Sequence, residues 1–522
     1  MTSLLSVHAP VTCLNQLFRQ CADKFPNHPA VLSGQTRIDH ETLGRRSDQI
    51  AAGLAGRGVR RGDRVALYSP NCPEFVMVYV GILKAGAVVV PVNLLINHRE
   101  VAYVLNDAGI RGLLIHHQLD DRVAAIQRDV AGLEFAARFG EGGDLTTTLA
   151  GLLDERAPAP EIAIDPKHDL AAILYTSGTT GFPKGAMLTH ANLVANTRSV
   201  HAAMKWRSGE DRVLVVLPMF HAFAATVGLL TPLTNGCALI PVPRFEPDAV
   251  AEAIQRHQAT IFLGVPSMYG VLLRLRDDKL ALLRSLRFGI VGGAAMPVAA
   301  LHQFEERSGI RLYEGDGPTE CSPVTCVNPI DGYTKPGTVG LPVPQVEMKI
   351  VGDDGRDLPD GEVGEIAVRG PNVMKGYWKQ PEATAEVFLG EWLLTGDLGT
   401  RDQDGYFSIV DRKKDLIIVN GMNVYPRMIE EILYAYPGMR EVAVVGEYSE
   451  LHGEVPVAFV ALDANPAPTE KMLRDYCRES LGRHQVPKRF ILLAELPKNA
   501  AGKILKRELR KQGEIERGVT GL

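Results

Sequence analysis

The chain has 522 residues, 46% hydrophobic and 22% charged, with a net charge of −5. That length suggests two to four domains of ordinary globular composition, and the mild negative charge excludes a bulk electrostatic pull toward nucleic acid. Seven cysteines at 13, 21, 72, 237, 321, 326 and 477 form no Cys-x-x-Cys pair, which excludes a disulfide framework and structural zinc.

In chain order, apolar β-branched runs alternate with helical patterns. Arg64–Tyr68, Ala87–Pro91, Gly112–His116, Leu170–Thr176, Arg212–Leu217, Ala238–Val242, Ile261–Val265 and Phe288–Gly292 read as strands. Leu43–Gly58, Glu74–Ala85 and Pro247–Gln258 carry i, i+3, i+4 apolar spacing and read as helices. Such alternation predicts parallel sheets covered by helices. The most apolar run, Val76–Val92, is broken by Gly81, Lys84 and Gly86 and closed by Pro91, so it reads as a helix and a buried strand rather than a membrane span. No secretory leader pattern opens the chain, and a cytoplasmic location is the default expectation.

Beyond about residue 330, short alternating segments with Gly and Asp turns (Val346–Val351, Gly364–Arg369, Tyr406–Val410) predict a β-rich region. From Asp411 a compact α+β segment follows, with helices near Pro426–Tyr436 and Thr469–Leu481 and strands near Val442–Gly446 and Val455–Leu462. The expected domains are therefore 1–411 and 412–522. The basic tail Lys503–Lys511, with Glu508 inside it, reads as a solvated helix in preference to a membrane or RNA patch.

Residues 175–190 read Tyr-Thr-Ser-Gly-Thr-Thr-Gly-Phe-Pro-Lys-Gly-Ala-Met-Leu-Thr-His. A strand runs into small hydroxyl and glycine residues followed by Lys184. Glycines let backbone N–H groups close on a polyphosphate, hydroxyls donate, and the lysine adds charge. The spacing is not that of a Walker A loop. Further on, Gly317-Pro318-Thr319-Glu320 sets a hydroxyl beside a carboxylate, suited to a phosphate–metal site, although a lone Thr-Glu is as readily a helix start. Thr395-Gly396-Asp397 puts a carboxylate at a turn, suited to a ribose diol, and Arg412 within Asp411-Arg-Lys-Lys-Asp415 can reach ribose or phosphate. Pro497-Lys-Asn-Ala-Ala-Gly502-Lys503 presents a lysine on a glycine turn. Each motif is weak alone; five in this order are specific.

Together they resemble the acyl-adenylate-forming superfamily of acyl-CoA synthetases, nonribosomal adenylation domains and firefly-type luciferases, over essentially the whole chain. The resemblance implies an α/β fold: a large N-terminal domain of two doubly wound βαβ sheets plus a β-barrel-like portion, and a small mobile α+β C-terminal domain. It implies that Thr176, Ser177, Gly178, Thr179, Thr180, Gly181 and Lys184 cradle the ATP phosphates, and that Thr319 and Glu320 hold the α-phosphate and Mg²⁺. It assigns Asp397 and Arg412 to ribose and Lys503 to the meeting of carboxylate and α-phosphate. His221, in Pro218-Met-Phe-His221, falls at the mouth of the acyl pocket, Gly421 at the pantetheine tunnel, and Lys414 at the hinge. One position departs: Asp316 stands where an aromatic residue usually stacks on adenine. Asn420 before Gly421, where a second glycine is common, is a lesser departure.

The implied reaction is attack of a carboxylate on the α-phosphate of ATP, giving acyl-AMP, followed by displacement of AMP by a thiol, with coenzyme A favoured. Phe220, Ala222, Phe223, Ala224, Val227, Phe262, Val265, Met268, Gly292 and Gly315 are the expected acyl-pocket residues, and none is cationic. An apolar acid therefore fits best: a medium- or long-chain fatty acid first, an aromatic or alicyclic acid second. A standalone enzyme loading a carrier protein, a luciferase-like monooxygenase and an inactive ligand-binding relative are the alternatives. Partners implied are the acid, ATP and CoA, with no nucleic acid and no membrane span. A homodimer and a lysine acetyltransferase acting on Lys503 are further partners consistent with the resemblance.

Overall fold

The computed structural model describes residues 11–140, 149, 153, 159–176, 183–463, 467–498 and 504–516, with side chains described to 511. A six-stranded sheet has the order Phe135–Phe139, Gly112–His116, Arg64–Tyr68, Val88–Pro91, Leu170–Thr176, Lys184–Thr189. All its pairings are parallel except the last. The center of a nine-stranded sheet is the parallel set Phe288–Val291, Ile261–Gly264, Arg212–Val215 and Ala238–Pro241. Arg311–Asp316 continues it on one side and Pro29–Ser33 on the other. Val88–Pro91, Ile261–Gly264 and Phe288–Val291 are buried along their whole length, as parallel strands covered on both faces must be.

The predicted strands and helices are present, several with the expected bounds (Arg64–Tyr68, Gly112–His116) and others with ends shifted by up to three residues; Leu43–Gly58, for example, is His40–Gly56. Val76–Val92 divides into the helix Pro73–Lys84 and the strand Val88–Pro91. Its glycine has a packing reason: a Cβ at Gly81 would lie 2.5 Å from Ile50 Cγ2 on helix His40–Gly56, so the two helices meet only because that position is bare. Among the described residues no helix is long and apolar enough to cross a membrane. The helix Leu14–Lys24 and the antiparallel pair Pro29–Ser33 and Thr36–Asp39 lie outside the elements predicted from sequence.

A third, antiparallel sheet contains Glu347–Val351, Gly364–Arg369, Trp392–Arg401, Phe388–Leu389 and Phe407–Arg412. A fourth sheet, also five-stranded, is built on the long hairpin Met439–Ser449 and Gly453–Leu462, flanked by Ile417–Val419, Met422–Val424 and Arg489–Leu492. Helices Pro426–Tyr434 and Glu470–Ser480 contribute Ile429, Leu433, Leu473 and Cys477 to the core on one face of it. Leu509 is buried on the other face, and Lys506 pairs with Glu430 at 2.7 Å and Arg510 with Asp415 at 2.6 Å. The basic tail is thus a docked helix, Lys506–Glu516, with two of its cations used inside its own domain.

Candidate active site

The phosphate-loop motif sits between Leu170–Thr176 and Lys184–Thr189, which pair antiparallel with Thr176 opposite Lys184. Ser177, Gly178, Thr179, Thr180 and Gly181 lie outside the described residues, as does Lys503. The outer edge of Lys184–Thr189 is covered by the segment after residue 374: Met187 donates to the Gly376 carbonyl, Lys375 to Met187 and Trp378 to Gly185. This pairing carries Tyr377 to the site. Its hydroxyl donates to Glu320 Oε1 at 2.8 Å, and Lys184 Nζ stands 5.2 Å from the center of its ring. Lys184 and Glu320, far apart in sequence, therefore share one tyrosine.

Thr319 and Glu320 form a tight 3₁₀ turn at the end of the loop that follows strand Arg311–Asp316. Gly317 is compulsory there, because a Cβ would meet the Pro323 carbonyl at 2.0 Å. Met374 N–H donates to the Glu320 carbonyl at 2.7 Å and ties this turn to the Tyr377 segment. The Thr-Gly-Asp turn is a kink within strand Trp392–Arg401. Gly396 has φ +75°, its N–H donates to Glu365, and Asp397 N–H donates to Thr395 Oγ1. Asp397 lies directly opposite Arg412 in the sheet, and Arg412 Nε meets its Oδ1 at 2.7 Å.

The electrostatics join these groups. Burial works against the Arg412 charge, but Asp397, Asp316 and Glu320 outweigh it and hold the guanidinium more firmly protonated. Asp316 is half-buried at the end of its strand, within the field of the same cation. Burial pushes the Cys321 thiol far up, helped by Glu320, Asp316 and Asp397 around it, so it is an inert thiol. Among the described residues no three His, Cys, Asp or Glu side chains gather as a metal cage. A single hard carboxylate fits Mg²⁺, which is usually held by one or two carboxylates together with substrate phosphates.

Part of the expected acyl set lies together elsewhere. Arg212–Val215 is flanked by Ala238–Pro241 on one side and Ile261–Gly264 on the other, so the chain reverses direction across the sheet there. Clefts open at the carboxyl ends of strands at such points. Phe220 and His221 follow this strand and lead into a π-helical segment, Ala224–Leu230. The Phe223 ring lies 3.0 Å from where a Cβ of Gly292 would be, and Val265 Cγ1 lies 3.6 Å from that position on Gly293. Gly315 faces differently: a Cβ there would meet the Cys326 carbonyl at 2.9 Å, on the neighboring strand.

Lys414 sits in the 3₁₀ turn Lys413–Asp415 directly after the third sheet; burial and then Arg412 depress its ammonium. Asn420 and Gly421 join Ile417–Val419 to Met422–Val424 with φ +51° and +78°. Asn-Gly is the preferred pair where both turn residues need positive φ, which accounts for asparagine at 420. Two functional candidates lie outside the motifs: Tyr377, and Glu314, whose carboxylate accepts from Met296 N–H at 3.2 Å and Gly337 N–H at 3.1 Å. A Gly-Tyr pair carries no chemical signature of its own, and a Glu inside a strand reads as a surface residue.

Comparison with known proteins identifies the family. The model described as AMP-binding enzyme matches residues 18–378, and that of the AMP-binding enzyme C-terminal domain matches 428–503. A long-chain-fatty-acid–CoA ligase of Bacillus subtilis is 36% identical over 531 residues, covering 96% of this chain and 95% of that protein. A feruloyl-CoA synthase of Amycolatopsis is 38% identical, covering 93% and 96%. The crystal structure of the anthranilate CoA ligase AuaEII with anthranoyl-AMP superposes with a TM-score of 0.90 at 28% identity, covering 98% of this chain and 99% of that one. The chain belongs to the AMP-binding enzyme family and is an AMP-forming acid–thiol ligase of the acyl-CoA synthetase type.

Proposed function

We propose that the chain activates an apolar monocarboxylic acid, a medium- or long-chain fatty acid in the first place, to acyl-AMP and then to acyl-CoA. The observation that carries this is the apolar packing at the reversal point of the nine-stranded sheet, where the Phe223 ring lies on Gly292 and Val265 beside Gly293, and neither side chain bears a charge. A second carboxylate or an ammonium on the acid would be desolvated there without a partner, at a cost of about 1–3 kcal/mol or more. The 36% identity to fatty-acid ligases supports the same choice. The feruloyl-CoA synthase favors an aromatic acid as the second reading.

In this reading Thr176 and Lys184, with the loop between them, hold the β- and γ-phosphates, while Asp397 and Arg412 hold the ribose. Glu320, fixed by Tyr377, is the Mg²⁺ ligand, and Thr319 donates to the α-phosphate. The metal, when bound, supplies charge neutralization on the phosphates. Carboxylate and triphosphate are both anionic, so bringing them together is the electrostatic difficulty, and Lys503 is assigned to relieve it. His221 stands at the acyl mouth, Lys414 is the hinge, and Gly421 lines the path of the thiol. Residues 1–411 bind ATP and acid, and 412–522 form the moving lid.

Pyrophosphate release across a panel of acids, with and without CoA, tests the assignment. Octanoate to palmitate should give the fastest release, with acyl-CoA appearing only when CoA is present. A dicarboxylate or aromatic acid turned over faster than every fatty acid would overturn the acid class. Pyrophosphate release that yields acyl-AMP but no acyl-CoA in the presence of CoA would point to a carrier-protein acceptor.

A further inference from the structure

Asn71 comes from the loop after Arg64–Tyr68, which is itself a reversal point: Val88–Pro91 and Gly112–His116 pair with it on opposite sides. Cys72, the next residue, caps helix Pro73–Lys84 by accepting from Phe75 N–H. With its neighbor anchored in this way, Asn71 reaches across to the other sheet. Its Nδ2 donates to the Leu217 carbonyl at 2.9 Å and lies 3.2 Å from the carbonyls of Val215 and Val242. Its Oδ1 accepts Met219 N–H at 2.9 Å. The residue is 5% exposed.

These partners occupy one flank of the second reversal point. Val215 ends the strand Arg212–Val215 and Val242 follows the adjacent Ala238–Pro241, and Val242 N–H donates to the Val215 carbonyl at 2.9 Å. The amide closes that gap. The opposite flank, toward Val265 and Gly292, is the one the proposed acyl cleft uses. Leu217 and Met219 bracket Pro218, whose carbonyl accepts His221 N–H at 2.9 Å. No aliphatic side chain could satisfy both the carbonyls and the Met219 N–H, so the turn's course depends on an amide.

We propose that Asn71 is a positioning residue for acid activation: it pins the Pro218–His221 turn, and so sets His221 and Phe223 at the acyl mouth, without touching substrate. The assignment rests on His221 standing at that mouth. Its signature is a loss confined to the acid. In Asn71→Ala, kcat/KM for the acid should fall about tenfold or more, the scale of leaving buried polar groups unpaired, while KM for ATP stays within about twofold. In a His221→Ala background the same change should cost less than about threefold further, because residues that act through one another are not additive.

The double-mutant cycle is run on whichever acid the wild type turns over fastest, so an error in the acid class leaves the readout intact. Melting temperatures are recorded alongside. Equal damage to acid and ATP parameters, or losses that multiply in the double variant, would overturn the proposal. If Asn71→Ala does not fold, Asn71→Asp serves: it keeps the volume and the Met219 contact but sets a carboxylate against three carbonyls, and should show the same acid-only loss. If neither variant folds, Asn71 is a determinant of the fold alone and the proposal fails.

Discussion

Tyr377→Phe removes one oxygen atom and isolates one interaction. Burial and the adjacent Glu320 drive the phenol's pKa far above its usual value, so the hydroxyl is a neutral donor at any working pH. It gives Glu320 a 2.8 Å hydrogen bond, and bonds to charged acceptors are worth about 1.5–3 kcal/mol. Lys184 sits over the ring at 5.2 Å, and that contact, about 0.5–1 kcal/mol, survives in phenylalanine. Glu320 is half-buried, so solvent replaces part of the lost bond, and the expected effect lies at the lower end. The prediction is a loss of about tenfold in kcat/KM for ATP. Tyr377→Ala should lose several-fold more. The assay is acid-dependent pyrophosphate release at varied ATP and Mg²⁺, with thioester formation from presynthesized acyl-AMP as the control. Tyr377→Phe within about twofold of wild type, or an equal loss in both half-reactions, would refute the reasoning.

Burial raises the Glu314 carboxyl from 4.5 to about 7 against the pull of its two N–H donors. The folded state then holds a proton that the unfolded state releases, so wild-type stability declines from about pH 4.5 to pH 7. Glu314→Gln should flatten that slope in urea titrations, by an amount on the order of 3 kcal/mol across the window. No change in slope would contradict the assignment. Asp316→Tyr should lower KM for ATP or leave activity intact, base stacking being worth roughly 1–3 kcal/mol; complete inactivation would count against a position in the adenine pocket. Lys503→Ala, or acetylation of Lys503, should slow adenylation by roughly 10²–10³-fold while sparing thioester formation from acyl-AMP. Loss of both activities, or of neither, sinks that role.

Local chemistry made much of this protein readable before any coordinates. Parallel strands buried on both faces must be apolar throughout, so Ile261–Gly264 and Phe288–Val291 stand out as short β-branched runs. A loop that wraps phosphate needs small residues and a lysine close together in the chain, so that motif is contiguous. The pairing of Asp397 with Arg412 was half legible: both motifs were visible, but their register across the third sheet was not. The supports of the site left no such trace. Tyr377 reaches Glu320 only because residues 375–378 add to the edge of Lys184–Thr189, and Asn71 finds its carbonyls about 145–170 positions away. The π-helix Ala224–Leu230 likewise carries an apolar pattern that an ordinary helix would share. A group that acts through long-range contact needs only one donor or acceptor at the right place, and a single polar residue has no period; its partner is chosen when the two sheets pack.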